Sequence, residues 1–74
     1  MIYEYDARSE KCPIPIVQLR LILRKMSNTD FCRLQISDKG SIKDIPMLLT
    51  KNGYSFKQSW LEKNTLELFI SKAD

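Results

Sequence analysis

Polar and apolar positions alternate at the start of the chain, with Tyr3, Tyr5 and Ala7 on one side and Glu4, Asp6 and Arg8 on the other. A period of two marks a half-buried strand, so residues 2–8 are predicted as a first strand that ends in the polar turn Ser9-Glu10-Lys11. The period then lengthens. Ile16, Leu19, Leu23 and Met26 recur at helical spacing and predict a helix over residues 13–27, with Asn28 and its successors as the stop. Pro13 falls at the first helical position, where a missing N–H is harmless, and Pro15 is still in the first turn. This placement makes Cys12 the expected N-cap.

Alternation returns over 31–37, where Cys32, Leu34 and Ile36 oppose Phe31, Arg33 and Gln35. Ile42, Ile45, Leu48 and Leu49 form the apolar stripe of a second helix predicted over 42–52. Ser41 and Asp44 have capping-box spacing; with Asp44 itself as the N-cap, Pro46 would lie in the first turn. Asn52-Gly53 is a left-handed stop signal. Strands over 54–60 and 65–72 follow, joined by a turn over 61–64, and Leu66, Leu68 and Ile70 alternate with Glu67 and Phe69. The order β-α-β-α-β-β predicts an α/β two-layer sandwich, a four-stranded mixed sheet with two helices on one face. The sheet is mixed because its last two strands form a hairpin. No repeat or linker divides the chain, so residues 1–74 are read as one domain.

At 74 residues, with 43% hydrophobic and 28% charged positions, the chain has the composition of a small globular domain with a modest core. The net charge of +3 is scattered, apart from short groupings such as Arg20 with Arg24 and Lys25. Few aromatic residues interleave with the basic ones, which argues against direct nucleic-acid binding. Residues 1–6 have neither the basic segment nor the apolar run of a signal peptide, and no stretch approaches the ~20 apolar residues that span a bilayer. A cytoplasmic location with reduced thiols and no membrane partner is therefore expected.

Cys12 and Cys32 form neither a disulfide framework nor a CxxC pair, and a chain without histidine offers no plausible zinc site, so no metal is expected. No imidazole is present to assist either thiol. Cys32 alternates with Leu34 and Ile36 and points inward, which indicates a structural role. Cys12 is different. A helix N-terminus carries partial positive charge and favours the thiolate form of a cysteine placed there, and Arg8 and Lys11 are near in sequence. That combination suits nucleophilic sulfur chemistry without a general base. On the same helix Ile14, Val17 and Leu21 fall opposite the core stripe and form a candidate partner face beside the cysteine.

Asp6-Ala7-Arg8, Cys12-Pro13-Ile14-Pro15, Leu19-Arg20 and Asp44-Ile45-Pro46 together resemble the TusA/SirA/YedF-type small sulfur-carrier proteins over almost the whole chain. The resemblance implies the same two-layer sandwich and a persulfide held transiently on Cys12, with no resident cofactor. It implies a cysteine desulfurase or other sulfur donor as one partner and an acceptor sulfur-relay protein as the next, feeding tRNA thiolation or another sulfur-transfer pathway. Such a protein is a sulfurtransferase-like carrier more than a stand-alone enzyme. Pro13 and Pro15 map onto the rigid helix start, Asp6 and Arg8 onto the strand end before it, and Asp44 onto the family's acidic residue near the cysteine. The chain departs from the pattern at Ser9, where the family often has glycine. It also departs at Ile14, Val17 and Leu21, where small or polar residues are common. The alternative is a regulatory or protein-interaction module of the same fold in which the thiol is incidental.

Overall fold

A computed structural model describes residues 1–72; the last two residues of the domain read over 1–74 lie outside the described part. Its elements are β1 (Ile2–Ala7), α1 (Ile14–Lys25), β2 (Phe31–Ile36), α2 (Lys39–Lys51), β3 (Tyr54–Glu62) and β4 (Thr65–Lys72). The strands form one sheet in the order β1-β2-β4-β3, with β1 parallel to β2 and β4 antiparallel to both β2 and β3. The predicted element order and mixed sheet are therefore the observed ones.

Register explains the core. Pairing places Tyr3, Cys32, Ile70 and Phe56 in one row across the sheet, Tyr5, Leu34, Leu68 and Gln58 in the next, and Ala7, Ile36, Leu66 and Trp60 in the third. Successive rows are two residues apart, so all three face the same side. Both helices cover that side. Leu19 and Leu23 of α1 and Ile45 and Leu49 of α2 are buried on the central positions Cys32, Leu34, Ile36, Leu66, Leu68 and Ile70. The opposite face is open, with Phe31 stacked on Phe69 at 5.2 Å and Arg33 paired to Glu4. Because β4 alone runs against the other three strands, the C-terminal ends of β1, β2 and β3 share one end of the sheet, where both helices begin.

Several boundaries differ from the sequence reading, each for a local reason. The first intrahelical bond of α1 runs from the Val17 N–H to the Pro13 carbonyl, so the N-cap is Pro13 and not Cys12. The Ile14 N–H instead closes a turn on the Lys11 carbonyl at 3.0 Å, which keeps Cys12 in the turn before the helix. The helix ends at Lys25, with Met26 as its C-cap. Helix α2 starts three residues earlier than the apolar stripe suggests, because the Asp38 side chain caps it by accepting from the Ser41 N–H. Asp44 is consequently an exposed residue inside the helix and not its cap. Pro46 also lies in the helix interior, where it forgoes the bond to the Ile42 carbonyl. Strand β3 continues past Trp60 to Glu62 through a register shift, which leaves a turn of only Lys63 and Asn64. Gly53 ends α2 at φ 80, as its position after Asn52 predicts.

Candidate functional site

Cys12 is exposed where the two helices begin. A turn leads to it, closed by the Glu10 N–H on the Ala7 carbonyl at 3.1 Å, and the Tyr5 hydroxyl donates to a Glu10 carboxylate oxygen. Burial and that neighbouring carboxylate push the Tyr5 phenol well above its ordinary range. On the far side of the cysteine, Pro13 is exposed and joined to Cys12 by a cis peptide bond, while Pro15 is fully buried and anchors the helix start against the core. Neither proline brings an N–H, and that of Ile14 is engaged by Lys11.

The first turn of α2 forms the other wall. The Cys12 N–H donates to Oδ2 of Asp38 at 3.3 Å, and the same oxygen accepts from the Ser41 N–H at 3.1 Å and the Ser41 hydroxyl at 3.3 Å. A Cβ placed on Gly40 would make ordinary contact with the Cys12 Cβ at 3.6 Å but would crowd Asp38 Oδ2 at 3.2 Å. Cys12 thus stands between two helix N-termini rather than at the tip of one, and partial positive charge converges on it from both. The donors from Ser41 and Cys12 hold the Asp38 carboxyl below the usual carboxylate range.

The sequence-predicted residues divide into those brought together and those kept apart. Asp6 and Arg8 form a two-pronged pair, with Arg8 Nε 2.8 Å from Oδ1 and Nη2 2.7 Å from Oδ2, and the Arg8 backbone N–H adds a bond at 3.1 Å. This pairing lowers the Asp6 pKa to about 2 and raises that of Arg8. It braces the exit of β1; among the described residues no hydrogen bond links it to Cys12. Lys11 is exposed beside the cysteine. Asp44 lies six residues beyond Asp38, about 9 Å further along the helix axis. There it lines a groove of about 360 Å³ between the helices, with Ile16, Arg20, Met47, Leu48 and Lys51. Ile14, Val17 and Leu21 are 47%, 50% and 46% exposed, an aligned apolar stripe that starts two residues from the cysteine. Cys32 begins β2 at the opposite end of the sheet, is wholly buried, and has its thiol pushed up to about 11 by that burial.

Asp38 is the site residue that the sequence reading passed over. Its signal was the spacing Asp38-Lys-Gly-Ser41, a capping residue three positions before a backbone donor. The exposed Trp60 was likewise not singled out; it overhangs the start of α2 in a hollow of about 320 Å³ with Ser37, Lys39, Ile42, Lys63 and Asn64. Among the described residues no cluster of metal-binding side chains occurs, and no helix is long and apolar enough to cross a membrane.

Fold and site together define a small two-layer α/β sandwich with an exposed cysteine at the common start of its two helices. The chain belongs to the TusA family: the family model described as sulfurtransferase TusA matches residues 3–72. The sulfur carrier protein TusA of Allochromatium vinosum is 29% identical over 70 residues, covering 95% of this chain and 92% of that protein. The crystal structure of a SirA-like protein from Desulfitobacterium hafniense superposes with a TM-score of 0.83 over 100% of both chains at 19% identity, which shows the shared fold.

Proposed function

We propose that this protein carries sulfur as a persulfide on Cys12, taking it from a cysteine desulfurase or other sulfur donor and passing it to an acceptor sulfur-relay protein. The observation that carries the reading is the exposed Cys12 between two helix N-termini in a chain of the TusA family. Loading balances without a cofactor. The Cys12 thiolate attacks the outer sulfur of the donor's R–S–SH, the donor S–S bond breaks, Cys12–S–SH forms, and the donor leaves as R–S⁻. Delivery repeats the step with an acceptor thiolate. No residue acts as a general base in this scheme, in keeping with a chain that has no histidine. The exposed stripe Ile14, Val17 and Leu21, flanked by Arg20, Arg24 and Lys25 and by no acid on α1, is the surface on which a donor or acceptor would seat.

Incubation with a cysteine desulfurase and cysteine, followed by intact-mass measurement, tests the proposal. A gain of one sulfur atom is expected, lost in Cys12→Ser and kept in Cys32→Ser; a gain that survives Cys12→Ser refutes it. The same stripe supports a second reading, an interaction module in which the thiol is incidental. Under that reading Cys12→Ser keeps the cellular phenotype and Leu21→Asp abolishes it.

A further inference from the structure

We propose that Asp38 is a positioning residue for Cys12, its carboxylate tying the backbone of the cysteine turn to the first turn of α2. One oxygen, Oδ2, accepts from both sides of the junction: from Ser41 N–H and Oγ within α2, and from the Cys12 N–H across 26 residues of sequence. A helix cap needs only the first of these contacts. The second fixes the residue that bears the sulfur.

The turn it fixes has few other restraints. Cys12 and Pro13 are exposed, and the backbone bonds that flank them are those of the Ile14 N–H to Lys11 and the Val17 N–H to Pro13. The sulfur of a carrier has to meet a partner's sulfur in line, and a misplacement on the order of 1 Å at a reacting atom is costly in rate. Asp38 restrains that geometry by holding the amide and leaving the thiol free. The N–H and O–H donors on the carboxylate hold it below the usual carboxylate range. The carboxylate holds the backbone of the turn, so its value to the site lies in placement. A side chain on Gly40 would crowd the carboxylate oxygen that makes the bond.

This inference rests on the carrier reading for its functional consequence, but its structural part is measured separately. Asp38→Ser keeps a good helix cap with a side chain too short to bridge to Cys12, Asp38→Asn keeps an acceptor oxygen in place, and Asp38→Ala removes both. Amide hydrogen exchange by NMR is read at Cys12 and Ser41, and the rate of Cys12 alkylation by iodoacetamide is followed by mass. In Asp38→Ser the Cys12 amide is expected to exchange a few-fold to about tenfold faster, the range one such hydrogen bond supports, while Ser41 stays protected. Alkylation should change in the same variant, kcat/KM for sulfur transfer should fall by a similar factor, and Asp38→Asn should rescue all three. An unchanged Cys12 amide in Asp38→Ser, or transfer and alkylation at the wild-type rate, would reduce Asp38 to a helix cap and overturn the proposal. If the wild-type protein accepts no sulfur, the carrier reading fails, and exchange and alkylation alone decide the role of Asp38.

Discussion

Leu21→Asp isolates the apolar stripe of α1 from the thiol it adjoins. Leu21 is 46% exposed and points away from the core, so the substitution leaves no cavity. Its effect on folding should be small. Asp is a poorer helix former than Leu by about 0.5 kcal/mol, but in position 21 it faces Arg24 and Lys25 at i+3 and i+4, each pair worth about 0.2–0.5 kcal/mol. The two terms offset. Docking is another matter. Full burial of a leucine is worth about 1.5–3 kcal/mol, so covering the half still in water contributes about 1 kcal/mol, and the three-residue stripe about 3 kcal/mol. Replacing Leu21 by a carboxylate forfeits its share and places a charge where a partner would desolvate it, at a further cost of about 1 kcal/mol or more. The sum is about 2 kcal/mol, roughly a 30-fold rise in Kd.

The assay is sulfur transfer from a persulfide-loaded donor enzyme with carrier concentration varied. KM should rise by the factor above while kcat at saturation, the melting temperature and the alkylation rate of Cys12 stay near wild type. A KM equal to that of the wild type with every donor and acceptor tested would show that the stripe is not a docking surface. A drop in kcat alone would place the effect at the sulfur and not at the stripe.

Cys32→Ser puts a hydroxyl into a fully buried apolar site and should destabilise by about 1–3 kcal/mol in denaturant unfolding while sulfur loading persists; a folded variant that no longer loads would contradict a purely structural Cys32. The Asp6–Arg8 pair makes part of the stability acid-sensitive. The Asp6 pKa in the folded state is about 2, below its unfolded value of about 3.9, so its contribution is present above pH ~4 and is lost as pH falls toward 2. Asp6→Asn should flatten that limb of stability against pH, and an unaltered limb would show that the pair contributes nothing. Gly53→Ala forces a side chain into the left-handed region at φ 80 and should cost about 1 kcal/mol by thermal melt; no loss would mean that the end of α2 readjusts freely.

The sheet was legible because its central strands satisfy two demands at once. Cys32, Leu34 and Ile36 and then Leu66, Leu68 and Ile70 alternate cleanly, and each group must be buried by the same two helices. The edge strand β3 was read short by Leu61 and Glu62, which lie at the register shift after Trp60, where regular alternation breaks, and both are exposed. The start of α2 was hidden for a related reason. Its first turn is Lys39, Gly40 and Ser41, none of which contributes to an apolar stripe, and glycine weighs against a helix in any local count. A capping carboxylate outweighs that penalty only once Asp38 is known to be free to turn back on Ser41.

That three-residue difference decides which acid belongs to the site. With the helix started at Ile42, Asp44 is at its tip and next to the cysteine; started at Lys39, Asp38 is at the tip and Asp44 is more than a turn beyond it. Cys12 itself was visible because the features that mark it, Pro13 and Pro15, are its neighbours in sequence, and their helix is the one that follows at once. The contact that holds it in place is not local: it spans 26 residues and exists only because parallel β1 and β2 bring the starts of both helices to one end of the sheet. The thiol is therefore written in a short motif, whereas its orientation is a property of topology. An insertion that lengthens the loop between Ile36 and Lys39 should for that reason lower kcat/KM for sulfur transfer without touching any residue of the motif.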